Sequence, residues 1–260
     1  MRHSRLKAIV GMNAGVLLLW TTCAAASSGA SAGTLSASQI CGIVRENYAS
    51  LSSYSDQGRN ILTMDGADID TEFTTTLART GYYRIEWEQF KDPAGAGDNS
   101  GINGAWESGS GDYIQTERGM RRQDNRDLAF YNLASRARGL ATVPRIFFGM
   151  HESAQPGALI ALQRLADSKV GATDCYQITG QTRSGQTKTF WIGKQDLLIH
   201  QIRTEVSPDI VRGALEGMPA QTVEQMEFHG FSSLETYTNI VVNKKFSPSD
   251  FVPSFPLYEQ

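Results

Sequence analysis

The sequence predicts a mainly antiparallel β protein with a few helices, of the α+β class, in which helices cover a curved half-barrel sheet. Three observations carry that expectation. Short runs rich in β-branched and aromatic residues alternate in polarity along most of the chain. Gly, Asn, Asp and Ser separate them where turns are needed. Segments of helical period are few, so many strands share few covering helices, and an antiparallel sheet normally packs a core on one face.

The elements follow in chain order. Residues 1–7 carry Arg2, Arg5 and Lys7 with no acid, and residues 8–20 are apolar. That is the order and polarity of a signal peptide. The apolar stretch is about 13 residues long, short of the ~20 that cross a hydrocarbon core as a helix. Small residues from Ala24 to Ala32 offer cleavage after Ala26 or after Ala32, and the second is preferred. The expected organisation is a leader over residues 1–32 and one domain over residues 33–260, located in the periplasm. A lipoprotein leader would acylate Cys23, but Trp20-Thr21-Thr22 lacks the small residues of such a site, so anchoring there is not expected.

Ser36 and Gln39 have capping-box spacing, and Ile40, Ile43, Val44, Tyr48 and Leu51 share one helical face, which predicts a helix over residues 37–52. Residues 59–64, 71–77 and 82–90 are predicted antiparallel strands. Residues 91–111 read as a loop, or a hairpin turning at Asn103-Gly104. Gly95, Gly97 and Gly101 in it lack the spacing of a phosphate cradle. Residues 124–139 read as a second helix with Leu128 and Tyr131 on its buried side, and Val143-Pro144 opens a third ending in Phe147 and Phe148. Residues 158–169 fit helix or strand equally. A meander follows: strands over 175–179, 187–193 and 197–206 with a turn at Arg183-Ser184-Gly185, then strands near 222–228 and 234–242.

Composition narrows the function. The chain has 24 Lys and Arg against 27 Asp and Glu, and loss of Arg2, Arg5 and Lys7 with the leader takes the net charge to about −6, which disfavours nucleic acid as a partner. About 228 residues then remain, enough for one core, with no internal repeat or long linker. Cys41 and Cys175 stay in the mature chain, and an oxidising compartment predicts a bridge between them, two buried thiols being the alternative.

The residues of catalysis and metal binding do not assemble in the sequence. His151, His200 and His229 each stand alone, and no His-Glu-x-x-His or Cys-x-x-Cys occurs. Ser110 sits between glycines in a loop, away from any strand-to-helix elbow. Asp65, Asp68 and Asp70 lack the Gly-centred loop and closing glutamate of a calcium site and read as a solvated turn. No catalytic residue, metal or cofactor is assigned, and the chain is not expected to be an enzyme.

Alternation assigns faces. Tyr83, Ile85 and Trp87 share one face, as do Phe73 and Leu77, and Phe190 and Ile192, with Ile202 opposite. The residues between them, Arg84, Glu86 and Glu88 on one strand and Glu72, Thr74 and Thr76 on another, suit water. The apolar faces are therefore expected inward, and with Phe147 and Phe148 they form either an apolar ligand cleft or a core filled by helices.

Several of these runs resemble the LolA/LolB-like periplasmic lipoprotein carriers. Leu77-Ala-Arg79-Thr-Gly-Tyr-Tyr-Arg-Ile-Glu-Trp87 is similar to the carriers' strand-turn-strand, and Phe190-Trp-Ile192 with Ile199-His-Gln201 to two adjacent C-terminal strands. Asn103-Gly104 before Trp106 fits the intervening hairpin, and residues 246–256 resemble the closing Phe- and Pro-rich segment. The resemblance implies a sheet wrapped round a helical lid, with Arg79 helping to close the lid, although Thr80 stands where the carriers have proline. It also implies a non-enzymatic carrier, a monomer, binding a lipid or lipoprotein acyl chain. The alternative within the same fold is an envelope sensor or assembly protein that binds a membrane protein through its rim.

Overall fold

The structure is a computed structural model and describes residues 35–90, 102–107, 109–116, 118–137, 140–150, 155–213 and 229–257. The leader, His151 and the strand expected near 222–228 lie outside the described residues. Helix α1 (Ala37–Ser50) starts where the sequence sets its cap: the Ser36 hydroxyl accepts from Gln39 N at 3.2 Å and Ser36 N donates to the Gln39 side chain at 2.8 Å. It buries Ala37, Ile40, Cys41, Val44 and Tyr48, and Leu51, in extended conformation, ends it.

Twelve strands are described and they form one antiparallel sheet. They are β1 (Ser53–Met64), β2 (Ala67–Ala78), β3 (Tyr83–Gln89), β4 (Ile102–Glu107), β5 (Asp112–Thr116), β6 (Gly119–Gln123), β7 (Ile160–Arg164), β8 (Ser168–Val170), β9 (Thr173–Gln181), β10 (Thr187–Gly193), β11 (Ile199–Val206) and β12 (Phe231–Val242). Their spatial order is β6-β5-β4-β3-β2-β1-β12-β11-β10-β9-β7, with β8 also on β9. The last strand thus pairs with the first at the middle of the sheet, Gly58 facing Tyr237 and Asn60 facing Glu235. Helices α2 (Arg126–Arg136), α3 (Thr142–Phe148) and α4 (Pro208–Gly213) complete the described elements.

The strand faces follow the alternation of the sequence. Tyr54, Phe73, Leu77, Tyr83, Ile85, Ile178, Phe190, Ile192 and Ile202 point to one face, where they join Ile40, Val44 and Tyr48 of α1, Phe130 and Leu133 of α2, and Val143, Ile146 and Phe147 of α3 in one core. Gly58 belongs to this inner face for a steric reason: a Cβ there would lie 2.1 Å from the Phe73 ring. Phe73 packs edge-on to Tyr237, centroids 5.6 Å apart, through the space the missing side chain leaves.

The outer face carries a strap. Residues 246–257 cross β3 to β5: Arg84 donates to Val252 O at 2.9 Å, Ser254 N and Oγ donate to Glu86 at 2.6 and 2.9 Å, and Gln115 donates to Pro256 O at 2.8 Å. Phe255 lies edge-on to Trp106, and a Cβ at Gly104 would stand 2.5 Å from its ring. This corrects the expected turn at Asn103-Gly104. Gly104 is mid-strand in β4, and its lack of a side chain makes room for Phe255 rather than for a hairpin.

Other expectations change too. Strand β1 begins six residues earlier than expected, because Ser53, Asp56 and Gly58 lack β propensity yet pair along their whole length with β2. The ambiguous 158–169 segment is a turn of 3-10 helix (Pro156–Ala158) followed by β7 and the start of β8, while β5, β6 and α4 have no counterpart among the expected elements. On α2 the buried side is Ala129, Phe130 and Leu133; Leu128 and Tyr131 face solvent, Tyr131 at 67 % exposure. Phe130 decides that rotation by packing 4.9 Å from Tyr83. Cys41 and Cys175 are free, buried thiols and not the expected bridge. Cys41 lies beneath α1 on the inner face, whereas Cys175 alternates with inward Tyr176 and Ile178 and so points to the other side of the sheet.

Candidate functional site

The inner face is divided. Over its helix-covered part the expected cleft residues are core: Leu77, Tyr83, Ile85, Phe147, Phe190, Ile192 and Ile202 are fully buried, Phe73 and Trp87 nearly so, and Phe148 is partly buried between Tyr83, Phe130 and Arg126. Helices fill the space that the sequence leaves open between cleft and core. Of these ten, Trp87 alone lines the cavity that remains on this face.

That cavity, about 600 Å³, lies beyond the helix-covered core, between the open end of the sheet and the C-terminal half of α2. Leu62, Met64, Trp87 and Phe231 supply an apolar wall. Lys188, Thr204, Ser233 and Glu235 make a polar floor on β10, β11 and β12, and Arg136 of α2 stands at the exposed rim. Lys188 and Glu235 are both buried, Glu235 at 1 % exposure. Tyr237 Oη donates to Glu235 Oε2 at 2.6 Å, while Oε1 has no hydrogen-bond partner. Burial raises the Glu235 carboxyl to about 7, against the lowering pull of the Lys188 charge and the Tyr237 hydroxyl.

A second buried acid sits behind it on β1. Tyr54 Oη donates to Asp56 Oδ2 at 2.7 Å, and desolvation raises the Asp56 carboxyl to about 7 against that hydrogen bond and one from Thr75. Asp56 does not line the cavity. It joins Tyr54 and Tyr48 in a row that ends at the backbone of β11, where Ile199 N donates to Tyr48 Oη at 3.1 Å.

Arg79, expected at the lid, follows β2. Its guanidinium donates to Tyr48 O at 2.6 Å and Leu51 O at 3.1 Å at the end of α1, and to Phe147 O at the end of α3, and lies 4.1 Å over the Phe147 ring. One side chain thereby holds the C-termini of two covering helices, where the helix dipole favours a cation. Desolvation lowers its pKa.

The remaining sequence candidates disperse. Asp68 accepts from Thr63 at 2.6 Å, Asp70 pairs with Arg59, and Asp65 stands in the β1–β2 turn, 3.2 Å from His229. His200 pairs with Asp196 at 2.9 Å.

Sequence reading missed Asp56, Lys188 and Glu235. A signal for two of them exists in the sequence. Tyr54-Ser-Asp56 and Glu235-Thr-Tyr237 each place a phenol two residues from an acid, on the same sheet face, which is how a buried carboxyl finds its donor.

No protein-family description matches the chain, and no curated protein matches it. Solved structures do. The chain is similar to a LolA superfamily protein of Nitrosomonas europaea at 10 % identity, over 85 % of this chain and 99 % of that one, TM-score 0.32. It is similar to LprF of Mycobacterium bovis at 8 % identity over 81 % and 94 %, TM-score 0.42, and to the MucA/MucB complex of Pseudomonas aeruginosa at 9 % over 84 % and 61 %, TM-score 0.41.

Proposed function

We propose that this chain is a non-enzymatic binding protein of the cell envelope, holding an amphipathic lipid or the acyl chain of a lipoprotein in the inner-face cavity. The observation that carries the reading is the division of that face. Helices cover the apolar part and leave a cavity with Leu62, Met64, Trp87 and Phe231 on one wall and polar groups on its floor. Its volume lies within the ~300–1,000 Å³ range of ligand pockets. Burying an apolar chain against that wall contributes roughly 25 cal/mol per Å².

Two raised carboxyls also bear on an enzymatic reading, since perturbed acids cluster at catalytic sites. An acid–base pair must reach one substrate, and only Glu235 of the two lines the cavity. A partner-binding reading has its own support on the outer face. There a groove of about 680 Å³ presents Ile61, Ile102 and Leu234 among Glu72, Glu86 and Glu88.

Native mass spectrometry of protein taken from the envelope tests the proposal. A bound lipid mass is expected, and it should be lost in Met64→Asp, a substitution at a half-open wall position that spares the core. Lipid-free wild-type protein, or retention of a membrane protein without lipid, would overturn it.

A further inference from the structure

We infer that the cavity reads a zwitterionic head, a phosphate ester beside a primary amine, with Glu235 as the acceptor for the amine. This deepens the lipid-binding reading and rests on it. The first observation is the unpartnered Oε1 of Glu235, a buried carboxylate oxygen on the wall of a cavity large enough for a ligand. Such an atom calls for a donor, because a buried acceptor left unmatched is costly. Tyr237 occupies the other oxygen, so the donor must come from the cavity side.

The second observation is the order of charge along the cavity. Glu235 lies deep on β12, Lys188 is buried two strands away on β10, and Arg136 stands at the rim on α2. A primary ammonium entering first would meet Glu235, and a phosphate behind it would lie among the two cations. Arginine and lysine are the usual phosphate partners, and an ammonium–carboxylate hydrogen bond is charge-assisted. The apolar positions Leu62, Met64 and Phe231 lie in the same wall, so the chains attached to such a head have a surface to follow. A simple anion would satisfy the cations and leave Oε1 of Glu235 unmatched. A quaternary amine brings charge but no N–H.

Calorimetry on residues 33–260 with dihexanoyl phosphatidylethanolamine, phosphatidylglycerol and phosphatidylcholine, and with free phosphorylethanolamine, tests this. The ethanolamine lipid is expected to bind about tenfold or more tighter than the other two lipids. Glu235→Gln, folded by circular dichroism, should abolish that preference while glycerol-lipid binding persists. Equal affinities in the wild type, or a preference that survives Glu235→Gln, would overturn the head assignment and leave the lipid-binding reading intact. If free phosphorylethanolamine binds as tightly as the lipid, the head assignment stands and the acyl-chain reading falls. No binding by any of the four overturns both.

Discussion

Asp56 and Glu235 are the two residues whose burial needs the most explanation, since each accepts from a tyrosine and keeps one oxygen unmatched. Both carboxyls are raised to about 7 by desolvation. A carboxyl whose folded pKa lies above its unfolded value binds more protons when folded. Stability is therefore greatest below about pH 4, in so far as these two groups set it, and is lost as pH rises from there to about 7. At about 1.4 kcal/mol per pH unit between the unfolded and folded values, each acid contributes a loss on the order of 3 kcal/mol across that window. Urea denaturation at pH 5 and pH 8 should show the wild type weaker at pH 8. Asp56→Asn with Glu235→Gln should flatten the difference; an unchanged pH dependence in the double variant would show that other groups set it. Residue faces were legible from alternation, because Ile85 and Glu86 differ so plainly in what water does for them. The buried acids were not, because the same rule that sends Glu86 outward sends Glu235 outward too. Only pairing with Tyr237 turns Glu235 inward, and pairing is a property of the folded sheet.

Among the elements, α1 and α3 owe their docking to a residue that belongs to neither. Arg79 donates to carbonyls at both helix ends, groups that lack intrahelical partners. Arg79→Ala should destabilise by about 2–3 kcal/mol, since buried carbonyls lose charged donors together. Arg79→Lys should recover only part, because one ammonium cannot span three carbonyls in the fork that guanidinium provides. Full recovery in Arg79→Lys, measured by thermal melting, would mean that charge alone is needed. The C-terminal strap gives a second test. Phe255 and Gly104 are complementary, so Phe255→Ala, at a cost of about 3 kcal/mol, and Gly104→Val should not add. The double variant is expected to cost clearly less than the sum of the singles. Helix α1 was legible to within two residues because its cap is local chemistry. The strand at β4 was not, because the reason for Gly104 lies about 150 residues away in sequence.

For the whole molecule, the pairing of β1 with β12 sets what the two ends of the chain can do. The first and last strands meet at the sheet's centre, so α1, which precedes β1, lies over the inner face, and the segment after β12 returns across the outer face. The fold class was legible because it depends on the period of the strands, which each run carries by itself; this closure was not, because it depends on which runs pair. The thiols show the difference. An oxidising compartment and two cysteines suggested a bridge, and nothing in their spacing could say that the sheet stands between them. Cys41 is held in the helix-covered core, with its thiol raised to about 11 by burial. Cys175 is also raised by burial, sits by Thr173 O at 3.5 Å and points the other way. Thiols raised in this manner are poor nucleophiles and slow to oxidise. Residues 33–260 should therefore release two thiols to a thiol reagent in denaturant and react slowly when folded. The urea midpoint should be the same with and without reductant, whereas a bridge closing so long a loop would shift it by the equivalent of about 4 kcal/mol. A reductant-dependent midpoint would place the two cysteines on one face and overturn the register of β9 with it.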